Sequence, residues 1–152
     1  MMHSMRRGRL ALALAMAAAL AACAAPSMKE VVASKDAPAA IGPYSQAIRH
    51  GNVLYLAGQI PIDPKTNQLN TGSIEDQTKL VLDNLKAVLA ANNMTMDDVV
   101  STSVFMKDLN DFTRMNTVYA TYFTNKPPAR ATVQVARLPR DVAIEISAVA
   151  AK

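Results

Sequence analysis

Residues 73–107, SIEDQTKLVLDNLKAVLAANNMTMDDVVSTSVFMK, change hydrophobic period part-way along. Ile74, Val81, Leu82, Leu85, Val88 and Leu89 recur at helical spacing behind Ser73, a good capping residue, with Asp76 three places on as a capping-box variant. The helix is expected to end near Asn92-Asn93. Val99–Lys107 is then rich in β-branched residues, as a strand would be. One switch of period in so short a distance points to an α+β domain, and both flanks agree.

Downstream, Asp111 can cap a second helix whose Phe112, Met115, Tyr119, Tyr122 and Phe123 form a stripe, and Pro127-Pro128 ends it. The stripe reads as core packing. Upstream, Tyr44–Arg49 and Val53–Ile60 are short strands joined through His50-Gly51-Asn52, with Pro61 and Pro64 stopping the second. No repeat or low-complexity tract interrupts residues 37–152.

Two more strands close the chain. In Arg130–Arg137, Val133 and Val135 point one way and Arg130, Thr132 and Gln134 the other; in Val142–Ala148, Val142, Ile144 and Ile146 oppose Glu145 and Ser147. A tight connection through Leu138-Pro139-Arg140-Asp141 would set Gln134 against Glu145 and Thr132 against Ser147. On that register Arg130 and Glu145 look out from one sheet face. If both helices cover the other face, this one meets either solvent or a neighbouring subunit.

The chain of 152 residues is 51% hydrophobic and 18% charged, a composition that excludes disorder, collagen and a disulfide scaffold. Cys23 is the only cysteine, and with His3 and His50 the only histidines no zinc-type cluster can be assembled. Residues 1–22 carry Arg6, Arg7 and Arg9 before an apolar run from Leu10 to Ala22, which falls short of the ~20 residues that span a bilayer. This is the form of a secretory signal peptide, and Leu20-Ala21-Ala22-Cys23 resembles the bacterial lipobox, in which the cysteine is acylated. The alternative is a start at Met28 with no leader. Removing 1–22 takes away three arginines and no acidic residue, leaving thirteen basic against twelve acidic residues. So nearly neutral a domain lacks the basic footprint of a nucleic-acid binder. Residues 23–36 read as a tether and 37–152 as the domain. Ala24 after the cysteine, in place of an aspartate, points to an outer-membrane lipid anchor facing the periplasm.

Ile41-Gly42-Pro43-Tyr44-Ser45-Gln46, Ala57-Gly58-Gln59-Ile60-Pro61, Phe105–Phe112 (FMKDLNDF), Pro128-Ala129-Arg130, Val135–Pro139 (VARLP) and Ile144-Glu145-Ile146 together resemble the reactive intermediate deaminase family, Rid or YjgF. The resemblance runs from about Val31 to Lys152. It implies a chorismate-mutase-like α+β fold with a mixed sheet, two helices on one face, and a homotrimer with clefts between subunits. It also implies hydrolysis of 2-imino acids such as 2-iminopropanoate and 2-iminobutanoate, and of enamines through their imine tautomers, to 2-oxo acids and ammonia without a cofactor or metal.

Within that resemblance Arg130 would clamp the substrate carboxylate with two parallel donors, and Glu145 would position water and pass protons to the leaving nitrogen. Tyr44, Asn116 and the Gly58 N–H would shape the cleft, with Tyr44 arriving from a neighbouring subunit. Thr132 stands where many relatives have cysteine, and its hydroxyl or backbone can still contact substrate. From the residues alone, Arg130 could be a surface ion pair and Glu145 a solvated strand residue. The competing function is a trimer that binds a small carboxylate without turnover, since the same arginine clamp would serve. A ribonuclease is disfavoured by the near-neutral charge.

Overall fold

The computed structural model describes residues 28–152, so the segment read as a signal peptide and lipobox, with Cys23, lies outside the described residues. The elements in chain order are β1 (Lys29–Val32), β2 (Ala47–His50), β3 (Val53–Gln59), α1 (Ile74–Ala91), β4 (Val99–Met106), α2 (Phe112–Tyr122), β5 (Ala129–Gln134) and β6 (Ile144–Ala151). The strands form one sheet in the order β1-β2-β3-β6-β4-β5. The β4–β5 pair is parallel and the other pairs are antiparallel, giving a mixed sheet.

Local chemistry explains most of the elements. Ser73 caps α1 by accepting from the Asp76 N–H and donating from Oγ to Asp76 Oδ2 at 2.7 Å. The expected apolar stripe, Ile74, Val81, Leu82, Leu85, Val88 and Leu89, is buried. Gly51 takes φ 62°, which lets β2 turn back into β3 in two residues. Before α2 the cap is Asp108, accepting from the Asn110 N–H at 2.8 Å, while Asp111 makes no cap bond and pairs with Arg114. Lys29–Val32, read from sequence as part of the tether, is an edge strand instead, held to β2 by a four-residue ladder that includes the Glu30–Arg49 ion pair.

Both helices cover one sheet face. Across the six strands, Val32, Ala47, Leu56, Ala148, Thr102 and Arg130 are cross-strand neighbours in a single row beneath the helices. Leu56, Ala148 and Thr102 are buried among α1 and α2 residues such as Leu85, Met115 and Tyr119. The opposite face is uncovered: Val31, Tyr55 and Val133 are 67%, 52% and 45% exposed.

The expected hairpin of the last two strands does not form, because β4 lies between them. The Val135 N–H donates to the Met106 carbonyl and the Lys107 N–H to the Ala143 carbonyl, so both strand ends are bonded to the end of β4. The connection is pulled away by Leu138 and Val142, which are buried with Ile60 and Ile62 in a second small core. Arg140 and Asp141 accommodate the turn with φ of 57° and 60°. The strongly apolar β6, buried at every second position, takes the centre of the sheet and the polar β5 takes the edge. The register then overturns one expectation. Arg130 is level with Thr102 on the helix side, whereas Glu145 is level with Phe105 and Val133 on the open side. Arg130 and Glu145 therefore do not share a face.

Candidate active site

Two recesses receive the residues singled out in the sequence. The first, about 390 Å³, is lined by Tyr44, Gly58 and Glu145 among apolar walls that include Ile41, Ile60 and Pro139. The second, beside the edge strand under α2, is lined by Asn116, Tyr119, Phe123, Pro128 and Arg130. Neither recess holds both the arginine and the glutamate.

In the first recess the segment Ile41–Tyr44 folds on itself, with the Tyr44 N–H donating to the Gly42 carbonyl and the Tyr44 hydroxyl accepting from the Ile41 N–H at 3.2 Å. Gln46 fixes the neighbouring chain. Its buried amide donates to the Pro38 carbonyl at 2.6 Å, and its oxygen accepts from the Ser34 N–H at 2.6 Å. The register shift of β3 between Leu56 and Gln59 brings Gly58 against Glu145, so that a Cβ on Gly58 would collide with the carboxylate. This glycine is required for close approach. Burial pushes the Glu145 carboxyl above the usual glutamate range, and the carboxylate has no ion-pair partner among the described residues. A half-buried acid of this kind is suited to holding and releasing a proton.

In the second recess Arg130 makes no ion pair among the described residues. Its guanidinium carbon stands 4.5 Å from the centroid of the Tyr119 ring and 5.7 Å from that of Phe112. The Tyr119 hydroxyl shares a 2.7 Å hydrogen bond with Thr102 Oγ1, and burial raises its pKa, which keeps the proton in place. Thr132 is two residues from Arg130 on the same side, and its Oγ1 is the one buried side-chain polar atom without a partner among the described residues. Such an atom is costly to leave unpaired, which suits a water or ligand contact. The sequence reading missed two site residues: Tyr119 and Phe112 passed for core because a helical aromatic stripe does not reveal which ring meets a strand arginine. Among the described residues no group of three or more His, Cys, Asp or Glu is placed to hold a metal ion.

The sequence model described as Endoribonuclease L-PSP matches residues 34–152. The chain belongs to this family, the Rid or YjgF family. A RutC family protein of Pyrococcus horikoshii is 56% identical over 125 residues, covering 82% of this chain and 99% of the relative. The 2-iminobutanoate/2-iminopropanoate deaminase of Escherichia coli is 45% identical over 128 residues, covering 82% and 99%. Among solved structures, Escherichia coli TdcF with bound serine superposes with a TM-score of 0.79 at 40% identity, covering 82% of this chain and 99% of that one. The α+β architecture, a mixed sheet with two helices on one face, is that of the Rid-family structures.

Proposed function

We propose that the protein hydrolyses 2-imino acids, such as 2-iminopropanoate and 2-iminobutanoate, to 2-oxo acids and ammonia, at sites completed between copies of a homotrimer. One observation carries this reading. An arginine with its donors free and a half-buried carboxylate without a cation, among the described residues, lie on opposite faces of one sheet, and a second copy would bring them together. One copy supplies Arg130, Asn116 and Thr132, and its neighbour supplies Tyr44, Gly58 and Glu145. The open sheet face, with exposed Val31, Tyr55 and Val133 beside the small Ser101, Ala129 and Ala131, is the surface offered to the neighbour.

The chemistry follows from the groups. Arg130 presents two parallel N–H donors to the substrate carboxylate and fixes the imine carbon against the neighbour's Glu145. Glu145 takes a proton from water as its oxygen bonds to that carbon, and returns a proton to the nitrogen. The resulting carbinolamine loses ammonia and leaves the 2-oxo acid, so one water is consumed for each ammonia released. Similarity to the Escherichia coli deaminase supports this substrate class, and the serine bound in the TdcF structure is a small carboxylate.

The test is release of ammonia and 2-oxo acid from 2-iminobutanoate generated in situ. Acceleration over the spontaneous rate that falls at least about 10-fold in Arg130→Ala supports the deaminase. Binding of 2-oxobutanoate without acceleration would instead establish a carboxylate-binding trimer.

A further inference from the structure

We propose that Tyr119, tied by Thr102, is a positioning residue that holds the Arg130 guanidinium by its flat face and keeps its donor edge open for a carboxylate. The inference rests on the clamp role of Arg130 in the reading above. A guanidinium carries all five N–H donors in its plane, so an ion pair with a protein carboxylate would occupy the edge that a ligand needs. A π face holds the cation without using any donor. Here the Tyr119 ring lies 4.5 Å from the guanidinium carbon, and Phe112 flanks it at 5.7 Å.

The ring itself is buried and held at two points. Tyr119 is buried, its ring centroid is 4.5 Å from that of Phe123, and its hydroxyl is 2.7 Å from Thr102 Oγ1. Thr102 is the β4 residue directly level with Arg130, so the strand that anchors the tyrosine hydroxyl also sets the height of the arginine. Tyr119 acts only through Arg130 and touches no reacting atom.

Calorimetric binding of 2-oxobutanoate by the full-length protein tests this directly, because it reads the clamp without requiring turnover. Tyr119→Leu removes the π face and is expected to weaken binding about 10-fold. KM for 2-iminobutanoate should rise in parallel while kcat stays within about twofold, as for a contact equal in ground and transition states. Tyr119→Phe keeps the ring but loses the hydroxyl that Thr102 holds, and should weaken binding only about threefold. If Tyr119→Leu fails to fold, the pair Thr102→Val with Tyr119→Phe removes the tie while replacing both buried hydroxyls, and about threefold weaker binding is expected. Parent-like binding by a folded Tyr119→Leu, or by the pair if it alone folds, would overturn the inference and leave the clamp intact. No binding by the parent would overturn the clamp itself, and the inference with it.

Discussion

Arg130 and Glu145 lie on opposite faces of the same sheet, Arg130 level with Thr102 and Ala148 beneath the helices and Glu145 level with Phe105 and Val133 on the open side. Among the described residues each has what the other lacks: the arginine has free donors and no carboxylate, the glutamate is partly desolvated and has no cation. Two copies in contact would satisfy both, and the clefts of a homotrimer would do so three times.

Arg130→Ala should reduce kcat/KM for 2-iminobutanoate by about 10- to 100-fold, the usual cost of a charge-assisted pair. Arg130→Lys keeps the charge but not the two-pronged geometry and should recover only part of that loss. Steady-state kinetics on the three proteins decide it; equal activity in all three would remove Arg130 from the site.

Glu145→Gln should abolish turnover and raise stability at neutral pH. The sign follows from burial. The folded pKa lies above the unfolded one, so the contribution to stability is fully present below the unfolded value and is lost as pH rises through the folded value. Burial disfavours the ionised carboxylate at pH 7, and the glutamine should raise Tm by roughly 1–3 °C, a gain kept small by partial solvent access and by the Arg130 that a neighbouring copy would bring near. Well below the glutamate range the difference should vanish. A Tm that falls at pH 7 would contradict this.

Gly58→Ala places a methyl where the Glu145 carboxylate now sits. The end of a glutamate side chain can move, so the fold should survive with about 1 kcal/mol or less lost, while activity falls about 10-fold as the carboxylate is displaced. Circular dichroism melts and initial rates separate the two effects. Unchanged activity would show that the carboxylate position is not critical.

The elements were legible in the sequence wherever one face is buried. The stripe from Ile74 to Leu89 and the alternation of Ile144, Glu145, Ile146 and Ser147 both carry their own period, and both lie in the elements they indicate, although the last strand begins and ends later than Val142–Ala148. Strand order was not legible, because a four-residue connection between Arg137 and Val142 looks like a hairpin whichever strand lies between its arms. The apolar Val133 looked like core and stands on the open face, while Val135 packs against the second small core, because alternation along a strand does not say what covers each face. β1 escaped notice for a simpler reason: four largely exposed residues carry no pattern.

The leader is a separate proposal. If residues 1–22 are removed and Cys23 is acylated, the full-length protein should fractionate with the outer membrane of a Gram-negative host and Cys23→Ala should not. Identical partitioning of the two would exclude the anchor.

The most direct test of a site shared between copies is complementation between two impaired variants, Arg130→Ala and Glu145→Gln, co-expressed in one cell and purified together. In a cyclic trimer every mixed assembly regains one site that takes Arg130 from one copy and Glu145 from its neighbour, so equal, random mixing should restore about one quarter of parental activity. Activity no higher than that of the separate variants, from trimers shown by mass spectrometry to be mixed, would contradict a site built across the interface.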